Sequence, residues 1–125
     1  MEDNSKYHFK IKTVQTAALR ILIEALKDLL TDANLKVTKD KIKLSTMDAT
    51  HTVLVYLELL SEKFEYWYFD DSCTEYVIGI NLLNFFKLIK TTGSDDILTL
   101  FMEKNNSNVL VVQIDNSDFS APPLG

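Results

Sequence analysis

The sequence predicts an α+β domain of two consecutive β-α-βββ units, with both helices on one side of the sheet. Two amphipathic stretches, one from Ala17 and one from Leu82, supply the helices, and alternating apolar runs around each supply the strands. The order strand, helix, strands occurs twice, as a repeat of elements rather than of residues.

Residues 7–12 alternate Tyr, Phe and Ile with His and Lys, the pattern of a half-buried strand. Over 17–33, Leu19, Leu22, Ile23, Leu26, Leu29, Leu30 and Ala33 recur at three-and-four spacing, which predicts one helix buried along a stripe. Strands at 35–38 and 42–45 follow, separated by Lys39-Asp40-Lys41. Strands at 53–60 and 64–69 come next, separated by Ser61-Glu62-Lys63, and both pairs read as hairpins.

In the second unit, 76–80 is a β-branched and aromatic strand, and Asn81 stands where a cap is needed for a helix over 82–90. Thr91, Thr92 and Gly93 end that helix. Strands at 97–102 and 109–114 close the unit around the polar loop 103–108. The folded domain is therefore residues 1–115, and 116–125, with two prolines and a glycine, reads as a flexible tail or the start of a linker.

Composition agrees with one folded domain: 125 residues, 46% hydrophobic and 25% charged. A single cysteine, Cys73, excludes an intrachain disulfide. The absence of a signal-like segment or a long apolar run reads as an intracellular, soluble chain with no membrane partner. The net charge of −5 repels nucleic acid on average, so any contact with DNA needs a local cluster of cations.

Enzyme chemistry finds little support. Asp70-Asp71 and Asp95-Asp96 are adjacent carboxylates, but neighbours on a strand point to opposite sides, and charged turns account for them. Cys73 has no histidine near it in sequence, and no Gly-rich phosphate loop is present. His8 and His51 lack zinc-ligand spacing, so neither catalysis, cofactor nor metal is expected. The aromatic run holding Tyr66, Trp67 and Tyr68 suggests base stacking on a single strand. Alternating aromatics in a strand are more often core and cross-strand packing, and Asp70-Asp71 beside them would repel phosphate.

Arg20 and Lys27 are two helical turns apart and share a face, and Lys87 and Lys90 are neighbours on the second helix. With both helices on one side of the sheet, the four form a cationic strip able to touch phosphates without reading bases. Taken alone, they also read as solvated helix charges, with Glu24 pairing Arg20 and Lys27.

Four motifs decide between these readings. They are Glu24-Ala-Leu-Lys-Asp-Leu29; Ser45-Thr46-Met47-Asp48-Ala49-Thr50-His51; Gly79-Ile80-Asn81-Leu82 with Lys87-Leu88-Ile89-Lys90; and Gly93-Ser94-Asp95-Asp96-Ile97-Leu98-Thr99-Leu100. In order and spacing, from Phe9 to Ile114, they resemble the first domain of the proliferating cell nuclear antigen family, the DNA sliding clamps. In that family each subunit has two similar domains, three subunits close a ring, and basic residues of the inward helices touch duplex DNA.

The resemblance implies the DNA clamp (processivity) fold and, without catalysis, a processivity role in replication and repair. It implies phosphate contacts at Arg20, Lys27, Lys87 and Lys90. It also implies a partner groove at Met47, His51 and Leu54, where a polymerase or another clamp-binding-motif protein inserts an aromatic and aliphatic anchor. By residue type alone, Met47 reads equally as a loop-packing methionine and His51 as a surface histidine. The implied partners further include a clamp loader and other copies in a ring, in the nucleus or in a viral replication compartment.

This sequence departs from the family at Ile21, where a second basic residue is common beside Arg20. It departs again over residues 65–73, which are longer and more aromatic. The second domain, the connecting loop and the last strand of the first domain have no counterpart after Ile114, so the chain is either part of a longer subunit or a half-sized one. A clamp-fold module that binds partners without encircling DNA, and a single-strand-binding domain, are the alternative functions.

Overall fold

The computed structural model describes residues 4–48, 50–93 and 95–115. The strands are β1 (Tyr7–Thr13), β2 (Asp32–Val37), β3 (Lys41–Met47), β4 (Leu54–Leu60), β5 (Tyr66–Phe69), β6 (Tyr76–Asn81), β7 (Ile97–Glu103) and β8 (Val111–Asp115). The helices are α1 (Thr16–Lys27) and α2 (Leu82–Ile89), and short 3-10 turns occupy Ser61–Lys63 and Lys104–Asn106.

The α+β class and the order of elements agree with the sequence reading, but the strands build two four-stranded antiparallel sheets rather than one. The first runs β5-β1-β7-β8 and the second β4-β3-β2-β6. The two units are interlocked: β1 pairs with β7 of the second unit, and β6 pairs with β2 of the first. The expected hairpin between β4 and β5 does not form. Instead the turn Ser61–Lys63 carries the chain from one sheet to the other, where the Glu65 amide meets the Lys12 carbonyl at 3.1 Å.

Burial follows from the alternation. Phe9, Ile11 and Thr13 point inward from β1, and together with Val37, Ile42, Ile78 and Met102 the first two build one core cluster. A second cluster lies under the helices and includes Ile23, Leu26, Leu30, Leu44, Leu82, Phe85, Ile89, Leu98 and Leu100. Leu82 opens α2 and is completely buried.

Helix α1 is shorter than its periodicity predicts. It ends at Lys27, where the amides of both Leu29 and Leu30 converge on the Leu26 carbonyl at 3.0 and 2.8 Å. The chain then enters β2, whose Ala33 faces Ile80 of β6. Ala33 is buried as the first member of an alternating set with Leu35 and Val37, and its distance from Leu30 only imitates a helical step. Helix α2 starts as expected: the Asn81 side chain accepts the Asn84 amide at 2.9 Å and also donates to Asp32 at 3.2 Å.

Candidate nucleic-acid and partner surfaces

The helices α1 and α2 pack side by side and antiparallel, so that the start of α1 meets the end of α2. Thr16, buried at the first position of α1, donates its hydroxyl to the Gly93 carbonyl at 2.8 Å. One turn later, Arg20 donates to the Thr92 carbonyl at 3.0 Å. The guanidinium thus sits at the negative end of α2, where a cation is favoured. The turn beyond α2 is fastened from within, because the Gly93 amide donates to the buried carboxylate of Asp96 at 2.7 Å and the Thr92 hydroxyl to the Ile89 carbonyl at 2.7 Å.

Two of the four predicted phosphate-contacting cations therefore line the seam between the helices. Arg20 holds the end of α2, and Lys27 lies over the Phe86 ring, 5.1 Å from its centroid, and 3.1 Å from Asp28. Lys87 and Lys90 are exposed on α2. The same helix layer exposes Ile21 at 64%, Leu83 at 48% and Leu88 at 51%, so apolar surface interrupts its positive charge. Glu24 and Asp28, also exposed, interrupt it further.

The predicted partner residues lie together at the other end of the second sheet. Met47 ends β3 and Leu54 begins β4, they are direct cross-strand partners, and both are exposed. The loop between them is organised by Asp48. Its carboxylate accepts the Thr52 and Val53 amides at 2.9 and 3.0 Å and the Thr50 hydroxyl at 2.7 Å, while its own amide donates to the Val53 carbonyl at 2.8 Å. These donors, led by the Thr50 hydroxyl, hold the Asp48 carboxyl below its ordinary pKa. His51 tops the loop, exposed and with φ of 60°, a left-handed conformation uncommon outside glycine and asparagine.

Sequence reasoning missed the support beneath these residues. Thr16 reaches Gly93 across 77 positions and Arg20 reaches Thr92 across 72, and only the Gly93 to Asp96 turn gave a local signal. It also missed a cleft of about 290 Å³ between the start of α1 and the end of β4, lined by Gln15, Leu19, Leu22, Leu59, Leu60 and Phe64. Of the aromatic run, Tyr66 and Tyr68 share a face with Lys12 and Lys10. Trp67 turns inward, edge-on to Phe64 at 5.1 Å. Among the described residues, no group of three His, Cys, Asp or Glu side chains is placed to hold a metal ion. No helix among them is long and apolar enough to cross a membrane.

Two antiparallel helices over interlocked four-stranded sheets define a clamp-type α+β domain. The family described as "Proliferating cell nuclear antigen, N-terminal domain" matches residues 8–121, and the chain belongs to that family. A protein of Paramecium bursaria Chlorella virus 1, named "Probable DNA polymerase sliding clamp 1", is 33% identical over 115 residues, covering 92% of this chain and 42% of that protein. The "Proliferating cell nuclear antigen" of Dictyostelium discoideum is 33% identical over 102 residues, covering 82% of this chain and 38% of that protein. The chain thus spans about two fifths of the length of these relatives.

Proposed function

We propose that this chain serves as the first domain of a sliding clamp. In this reading it contributes to a ring that surrounds duplex DNA without sequence preference and tethers a DNA polymerase and other partners during replication and repair. It performs no catalytic step, and it works in the nucleus or at a viral replication site. The observation that carries the reading is the family match over residues 8–121, joined to a two-helix layer bearing Arg20, Lys27, Lys87 and Lys90. Contacts from these cations to phosphate are long-range and tolerant of register, as a protein that moves along DNA requires. A partner's aromatic and aliphatic anchor would seat against Met47, His51 and Leu54, and a loader would open and close the ring.

A direct test measures duplex association at low salt for the wild-type chain and for the combined Lys27→Glu, Lys87→Glu and Lys90→Glu variant. The expected result is that the variant loses duplex association while keeping its far-ultraviolet circular dichroism. Unchanged association would overturn the assignment of these cations. For the partner groove, a peptide carrying an aromatic and aliphatic anchor is expected to shift the amide resonances of Met47, His51 and Leu54. Shifts confined to other regions would sink the groove assignment.

The second reading, a clamp-fold interaction module that does not encircle DNA, is favoured by one observation. Ile21, Leu83 and Leu88 are exposed on the helix layer, and Arg20 is engaged with the Thr92 carbonyl. The same charge-reversal experiment separates the two, because the module reading expects partner-peptide binding with no duplex association to lose.

A further inference from the structure

The outer face of the second sheet divides into an apolar end and a cationic end. On β3, Lys41, Lys43, Ser45 and Met47 alternate with the buried Ile42 and Leu44 and point away from the core, and on β4 Leu54, Tyr56, Glu58 and Leu60 do the same. Met47 and Leu54 meet at one end, with Tyr56 next along β4, and all three are exposed. Toward the other end, Lys43 stands directly opposite Lys36 of β2, whose other neighbour is the exposed Val77 of β6. Like charges placed opposite each other on adjacent strands repel.

Neither Lys36 nor Lys43 lies within ion-pair distance of a carboxylate among the described residues. Glu58, opposite Lys43 on β4, is already engaged: its Oε2 accepts from Lys41 at 2.8 Å and from the Tyr56 hydroxyl at 2.7 Å. Asp32, the outward acid at the far end of β2, accepts from the Asn81 side chain at 3.2 Å. In the turn between β2 and β3, Lys39 and Asp40 carry one charge of each sign. The cationic end thus sets Lys36, Lys39, Lys41 and Lys43 against Asp40 and Glu58, a local positive excess in a chain whose net charge is −5.

We propose that the cationic end receives an acidic segment of the same protein partner whose apolar anchor seats at Met47 and Leu54, an inference that rests on the partner-groove reading of those two residues. Lys43 is four residues from Met47 along β3, about 13 Å of extended strand, so the segment carries its carboxylates about four residues from its anchor. A carboxylate seated between Lys36 and Lys43 relieves their repulsion and accepts charge-assisted hydrogen bonds from both. Nucleic acid fits this face less well, because its regular phosphates would meet Glu58 in the row of Lys43 and apolar Leu54 and Tyr56 beyond it. A peptide matches apolar surface with apolar side chains and lysines with carboxylates, and such complementarity selects among partners more than it adds affinity.

The test is fluorescence anisotropy of the full chain with a fluorescein-labelled peptide that carries an aromatic and aliphatic anchor and, about four residues from it, a pair of glutamates. The same peptide with glutamines in their place is the neutral control. Exposed charge contacts to Lys36 and Lys43 predict about fivefold tighter binding of the acidic peptide at low salt, a difference lost at high salt. Lys36→Gln with Lys43→Gln, both on the outer face and clear of the core, is expected to bring the acidic peptide to the neutral level and to leave the neutral peptide unchanged. Lys87→Glu with Lys90→Glu is expected to change neither. Equal binding of the two peptides, with the Met47 and Leu54 amide resonances shifted by both, would overturn this inference and leave the groove standing. If neither peptide shifts those resonances, both fall. Full displacement of the acidic peptide by oligothymidylate would give the face to nucleic acid instead, and a fall in light-scattering mass for the lysine variant would give it to a second copy of the chain; either overturns the proposal.

Discussion

Arg20 shows how a residue proposed for one task is held by another contact. Its guanidinium reaches the Thr92 carbonyl across 72 positions of sequence, so its charge both lines the helix seam and fastens the end of α2. Arg20→Ala is expected to destabilise the domain by about 1 kcal/mol in urea unfolding, because it leaves a helix-terminal carbonyl without its charged donor. No local pattern signals such a contact, whereas the exposure of Lys87 and Lys90 was legible from helical spacing alone. Asp48 supports a pH prediction. Its carboxyl is depressed by the Thr50 hydroxyl and then by the Val53 and Thr52 amides, so the stabilisation is present above the unfolded value of 3.8 and is lost as pH falls through the lower folded value. The Thr52 and Val53 amide resonances are expected to titrate with a midpoint below 3.8, and a midpoint at or above that value would rule out the carboxylate as the organiser of the loop.

At the level of elements, the sequence made both helices and all eight strands of the described residues legible, and its errors fell where a chain changes direction. The predicted extension of α1 to Ala33 failed because Leu29 and Leu30 keep helical spacing after Leu26 has already closed the helix. The α2 start was correct because its cap is local: Asn81 to Asn84 is a contact over three residues. Asn81→Ala is therefore expected to cost about 1 kcal/mol in thermal or chemical unfolding, with the helix retained. Strand β4 is the bordering strand of the second sheet, and its outer face exposes Leu54, Tyr56 and Leu60 around a single charge, Glu58. Its outer hydrogen-bonding edge is a template for another strand. Tyr56→Lys is expected to reduce concentration-dependent association seen by light scattering, and an unchanged mass profile would show that this edge takes no part.

For the whole molecule, the partition of the strands was beyond sequence reasoning, since the exchange of β1 and β6 between the two units depends on pairings such as Ile11 with Leu100 and Leu35 with Ile78. Those pairings are set by which sides of the strands are apolar, and that pattern fits one sheet or two equally well. Assembly belongs to this scale as well. If six copies of the 14.3 kDa chain close a ring, light scattering is expected to give six times that mass, about 86 kDa. A concentration-independent monomer would assign ring closure to a longer subunit. The inward turn of Trp67 gives such experiments an optical handle. It is the chain's single tryptophan, it packs against Phe64, and Phe64 lines the cleft between α1 and β4. A neighbouring chain that fills the cleft would alter the indole's surroundings, so its ultraviolet emission can report docking in real time, with no dye attached and no residue replaced.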